Sequence, residues 1–138
     1  MRYIGVNAPE IPHPHVRGDR DERRALRFFP HTVAAGEAAK QVNLDLAAGK
    51  RVRLELDRRR RDHYGRLLAY VWAGDTMLNA EMVRRGYAEV MSVPPDFRHR
   101  RLFVRLQEEA REAGRGLWRE SVRTKAGASA APPPRSVR

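Results

Sequence analysis

Apolar and polar positions change period several times along the chain, and each change marks an element. Residues 1–6 read as a strand, with Tyr3, Ile4 and Val6 β-prone and Pro9 closing the run. From Pro12 to Pro30 the sequence is polar and basic, a loop long enough to be functional or mobile. Its end, Ala25-Leu26-Arg27-Phe28-Phe29, is apolar enough to dock on a core. Ala35, Ala38, Val42 and Leu46 then recur at helical spacing, which predicts a helix from about Thr32 to Ala48 with Gly49 just past its end. Arg51–Asp57 alternates, with Val52, Leu54 and Leu56 on one side, as a half-buried strand does. Leu67–Trp72 is a stronger strand after the charged connection Arg58–Tyr64, and Gly74-Asp75 turns the chain into Met77-Leu78. Asn79 suits the N-cap of a short helix carrying Met82 and Val83 and ended by Gly86. Ala88–Val93 is a further strand, broken by Pro94-Pro95. Asp96 is the predicted cap of a last helix with Leu102, Phe103, Leu106, Ala110 and Ala113 as its apolar stripe. Gly114 and Gly116 stop that helix, and Leu117-Trp118 follows as an apolar clamp. After Glu120 the chain turns to Ala, Gly, Ser and Pro, so residues 1–120 are the expected domain and 121–138 a basic, disordered tail. The order of elements predicts a small α+β domain, of a kind compatible with a five-stranded oligonucleotide-binding barrel.

Composition narrows the chemistry. At 138 residues the chain fits one domain with its own core, and it has no cysteine, so disulfides and thiolate metal sites are excluded. No apolar run approaches the roughly 20 residues of a membrane span, and the N-terminus has no signal-peptide layout. The net charge is +11 and is carried by arginine, the lysines being Lys40, Lys50 and Lys125. Guanidinium forks suit phosphate, although a GC-rich genome enriches arginine as well. The histidines (His13, His15, His31, His63 and His99) show no metal-ligand spacing, and Tyr70, Trp72, Met82 and Trp118 are read as core.

Four segments carry more specific information. They are Arg2-Tyr3-Ile4-Gly5-Val6-Asn7-Ala8-Pro9-Glu10; Asp62-His63-Tyr64-Gly65-Arg66-Leu67-Leu68-Ala69-Tyr70-Val71; Leu78–Ala88; and Glu109-Ala110-Arg111 with Arg115-Gly116-Leu117-Trp118. In this order and spacing the chain resembles the staphylococcal nuclease family from residue 1 to about 119. The resemblance implies a five-stranded barrel with packed helices, a bound Ca²⁺, and hydrolysis of phosphodiesters in DNA or RNA. It further implies that Arg2 and Arg66 bind the scissile phosphate and that Glu10 orients or deprotonates the attacking water. Tyr64, with His63 beside it, matches a position near the nucleotide. Asn7 and the backbone carbonyl of Ala8 match metal-ligand positions.

The sequence departs from the family in three places. Asn7 stands where the family has a metal aspartate, so a weaker Ca²⁺ site is expected. Ala8 stands for a threonine whose backbone carbonyl is the ligand. The two strands that precede the first segment in the family, with a second metal aspartate between them, are not in this sequence. A mis-started or truncated gene sequence is the expected cause, and unpaired strand edges open to self-association the expected consequence. The leading reading is a Ca²⁺-dependent nuclease acting on nucleic acid, without membrane contact. The alternative is an inert nucleic-acid-binding module on the same fold, with Tyr64 and Phe97 as stacking surfaces. A basic structural protein would need no convergence of Arg2, Glu10 and Arg66, and placing these three on one cleft is the test.

Overall fold

The computed structural model describes residues 1–9, 33–91 and 98–119. The elements are β1 (Arg2–Tyr3), β2 (Val6–Asn7), α1 (Val33–Ala47), β3 (Arg53–Glu55), β4 (Leu68–Ala73), β5 (Thr76–Met77), α2 (Leu78–Arg84), β6 (Glu89–Val90) and α3 (Arg100–Ala113). This is an α+β domain, as the alternation of periods predicts. The long loop of residues 12–30, Asp96, Phe97 and the tail after Glu120 lie outside the described residues.

β4 is the centre of the sheet. It is the run buried along most of its length, with Leu68, Ala69, Tyr70 and Val71 each 4% exposed or less. β1 pairs parallel to it (Arg2 with Leu68, Tyr3 with Ala69) and β3 antiparallel on its other side (Leu54 with Val71). β5 returns antiparallel through the Gly74 turn, and β2 pairs separately with β6. Among the described residues the sheets do not close on themselves, so the expected five-stranded barrel is not what these residues form. β3 is correspondingly less buried than its alternation predicts. Leu54 and the preceding Val52 are 41% and 38% exposed, because no described layer covers the face that carries them.

The single strand predicted over residues 1–6 is two short ones, bent at Gly5. Gly5 has φ +77° and a Cβ there would come within 2.8 Å of the Phe103 ring, so both backbone freedom and space select glycine. Because the chain bends there, β1 stops pairing with β4 after Ile4, whose N–H donates to the Ala69 carbonyl. The next inward-facing donor of β4, the Val71 N–H, then needs another partner. Asn79 supplies it. Its Oδ1 accepts from Val71 N–H at 2.9 Å, and its Nδ2 donates to the Ile4 carbonyl at 3.0 Å and to the Ala69 carbonyl at 3.3 Å, in a fully buried position. Asn79 is therefore not the helix cap that its residue type suggests. Met77 occupies that position without a side-chain bond, and α2 starts at Leu78.

The core forms where β4, α2 and α3 meet: Ile4, Val6, Leu68, Tyr70, Val71, Leu78, Met82, Val83 and Phe103. Tyr70, Met82 and Trp118 are buried as predicted, whereas Trp72 is half-buried and lies under the Arg53 guanidinium at 5.3 Å. A polar network ties β3 to the start of α3. Tyr70 Oη donates to Asp57 Oδ2 at 2.7 Å, His99 Nε2 meets Glu55 Oε1 at 2.6 Å, and Arg98 donates to the Leu56 carbonyl at 3.1 Å. Beyond the left-handed Gly114, Trp118 packs on Ala110 and closes the far end of α3.

Candidate functional site

The turn that presents Arg66 is dictated by residue type. Asp at the first position and Gly at the fourth suit a type I turn, and Gly65, at φ +78°, donates its N–H to the Asp62 carbonyl at 3.0 Å. The Asp62 side chain completes the loop. Its Oδ1 accepts from the Tyr64 and Arg66 N–H groups, each at 2.9 Å, and its Oδ2 accepts from Arg66 Nε at 2.7 Å. One carboxylate thus shapes the turn and fixes the guanidinium it carries.

Arg66 lines a cleft of about 620 Å³ together with Arg2, Asn7, Ala8, Lys40 and Asn43. β1 places Arg2, β2 places Asn7, and α1 brings Gly36, Ala39, Lys40 and Asn43 across from them. Tyr3, Ala39 and Met82 supply apolar lining. Burial pushes the Tyr3 hydroxyl up from its ordinary value, so it stays neutral and donates to Asn43 Oδ1 at 2.7 Å. Arg2 donates to Asn7 Oδ1 at a long 3.4 Å and points toward Met91 Sδ at 3.6 Å. The described lining holds three cations, two amides and no carboxylate. A buried acid, Glu89, 2% exposed, stands directly across the β2–β6 pair from Asn7.

Of the residues expected from sequence, Arg2, Asn7, Ala8 and Arg66 meet at this cleft. Tyr64 and His63 lie on the Arg66 turn outside the lining, with Tyr64 57% exposed, 5.2 Å from the Arg66 guanidinium and 3.9 Å from the His63 ring. Glu10 lies outside the described residues. Sequence reasoning missed Asp62, Lys40 and Asn43. The stripe Gly36, Lys40, Asn43 at helical spacing was the signal for the last two.

The implied Ca²⁺ can be tested against these donors. Calcium takes six to eight oxygens, several of them anionic. The described residues offer the Asn7 amide oxygen, which faces Arg2, and the Ala8 carbonyl, and no three His, Cys, Asp or Glu among them gather around a point. This donor set does not fit a calcium ion.

Two carboxylates link the site to acid stability. Burial alone would raise Asp57 and Asp62, yet both lie below the ordinary range. The Tyr70 hydroxyl and the Arg58 and Arg98 amides lower the first, and the Arg66 amide and guanidinium lower the second. A depressed folded pKa stabilises the fold above the unfolded carboxylate value of about 4 and loses that contribution as pH falls through the folded value. Thermal melts should show a Tm flat near neutrality and falling below about pH 4. Asp57→Asn and Asp62→Asn should lower the neutral plateau and flatten the acid limb.

Comparison with known proteins places the chain. The family model described as staphylococcal nuclease homologue matches residues 1–120. A thermonuclease of Staphylococcus intermedius is 35% identical over 118 residues, covering 86% of this chain and 62% of that protein. A thermonuclease of Staphylococcus hyicus is 28% identical over the same coverage. Endonuclease YncB of Bacillus subtilis (strain 168) is 33% identical over 123 residues, 88% of this chain and 52% of that protein. The chain therefore spans under two thirds of the length of these relatives. With the family model matched from the β1 arginine through the Trp118 clamp, the chain belongs to the staphylococcal nuclease homologue family.

Proposed function

We propose that this chain is the phosphate-handling part of a nuclease that hydrolyses phosphodiester bonds in DNA or RNA. The observation that supports it most is Arg2, Arg66 and Lys40 lining one cleft from three separate elements. In-line attack of water on a phosphodiester spreads negative charge over the equatorial oxygens, and guanidinium forks held in place stabilise that charge more than the ground state. Asp62 holds Arg66 for this purpose, and Lys40 adds a point charge for an adjacent phosphate. Glu10, three residues after Asn7 in the sequence, is the proposed general base. Calcium dependence is the family-level expectation, and the described donors do not support it.

A second reading has a specific observation in its favour. A described lining of cations and amides without a carboxylate suits holding a phosphate as well as cutting beside it, which is the inert binding module. Incubating the protein with single-stranded DNA across a calcium titration separates the two. Cleavage that Glu10→Gln lowers by about 10²–10⁴-fold supports the nuclease. Salt-sensitive binding with no cleavage at any calcium concentration leaves the binding module, and an absence of both sinks the two readings together.

A further inference from the structure

A second cleft, of about 590 Å³, opens at the other end of α1. Its floor is Leu46 and Leu78, and its rim takes Lys50 and Arg51 from the segment after α1, Thr76 from β5, Glu81 from α2 and Arg85 just past its end. Glu81 does not neutralise this rim. Arg84 donates to both its carboxylate oxygens, at 2.8 and 2.7 Å, and Arg85 adds a bond at 3.1 Å. These bonds hold its carboxyl below the ordinary range, and the trio is net positive. Lys50 and Arg51 make no side-chain ion pair or hydrogen bond among the described residues. Cations after a helix C-terminus complement its dipole, and that accounts for Lys50. It does not account for Arg85 and Thr76 lining the same cleft from the other wall.

The two clefts are joined by one helix. α1 lines the first cleft with Gly36, Ala39, Lys40 and Asn43 and the second with Leu46, and Lys50 follows its end. Leu44, four residues after Lys40, is 45% exposed, an apolar surface on the outer side of the same helix. Two acids share the helix: Glu37 lies a turn before Lys40, and Asp45 accepts from Gln41 at 2.8 Å. At 1.5 Å per helical residue the clefts lie on the order of 15 Å apart, a few nucleotides of a strand.

We infer that the second cleft binds a phosphate of the same nucleic-acid strand whose scissile phosphate occupies the first, the strand tracking along α1 between them. This rests on the proposed function and adds to it a preference for substrates several nucleotides long. The probes are a single-stranded oligodeoxynucleotide of roughly 16 residues, a thymidine dinucleotide with one phosphodiester, and inorganic phosphate. Binding of each to the wild-type chain and to a Lys50→Ser/Arg51→Ser variant is measured across a salt series, with thermal melts to confirm folding. Affinity for the long strand should fall about tenfold and its log–log salt slope by about 0.7 per cation removed, with dinucleotide binding unchanged. Unchanged affinity and slope for the long strand overturn the track while leaving the first cleft intact. Loss of inorganic phosphate binding with long-strand binding retained also overturns it, and assigns the cleft to free phosphate. A wild-type chain that binds neither strand nor dinucleotide removes the proposed function, and the track with it.

Discussion

Replacing Asn79 with alanine is expected to cost about 3–5 kcal/mol of stability and to lower Tm by on the order of 15 °C. The side chain is fully buried and satisfies backbone groups from β1 and β4 at once. Alanine leaves the Val71 N–H and the Ile4 carbonyl without these partners, at about 1–3 kcal/mol for each orphaned buried group, and adds a small cavity. The Ala69 carbonyl is spared, because it also accepts from Ile4 N–H at 3.0 Å. Asn79→Asp keeps an acceptor for Val71 but loses both donated bonds and buries a charge, so it should be no milder. Chemical denaturation checks both variants. An Asn79→Ala protein within 1 kcal/mol of wild type, a difference of roughly fivefold in the folding equilibrium, would show that the clamp is dispensable.

The other large effect falls on the proposed chemistry. Arg66→Lys should lower phosphodiester cleavage by about 10³-fold while leaving Tm nearly unchanged. Lysine keeps the charge but cannot donate to Asp62 Oδ2 while also presenting a planar fork to a phosphate. Asp62→Asn tests the same geometry from behind. It keeps an oxygen for the Tyr64 and Arg66 amides yet loses the charge that fixes the guanidinium, so a loss of about tenfold, mainly in kcat, is expected. A steady-state assay reads both, and an Arg66→Lys enzyme with undiminished kcat would remove Arg66 from the transition state.

These two residues also mark how far the sequence could be read. The Asp62-x-x-Gly65-Arg66 turn is legible because each of its requirements is local: a short acceptor at its first position, a positive φ at its fourth, an arginine just after. Helix positions and the central strand were legible for a similar reason. α1, predicted over 32–48, runs Val33–Ala47, and β4, predicted over 67–72, runs Leu68–Ala73, each set by a period or a continuous apolar run. Asn79 was misread for the opposite reason. Its residue type favours a helix cap, but a non-local need, the β4 donor stranded by the Gly5 bend, claimed its side chain. The strand at 51–57 was over-read because alternation predicts a buried face only where another layer covers it, and here Val52 and Leu54 stay exposed.

By itself the sequence determined the α+β class and the core of Tyr70, Met82 and Trp118, because periodicity and turn chemistry are written along the chain, and its resemblance to the family named Arg2 and Arg66 as candidates. Which distant residues share a surface is not written there. Only the tertiary structure brought Lys40 and Asn43 of α1 to the arginine cleft, set Glu89 across from Asn7, and gathered Lys50, Arg51 and Arg85 around a second opening. Those meetings depend on how β4, α1 and α2 pack. Packing is decided by the fit of whole buried faces to one another, so residues that are far apart in sequence become neighbours for reasons that no local window contains.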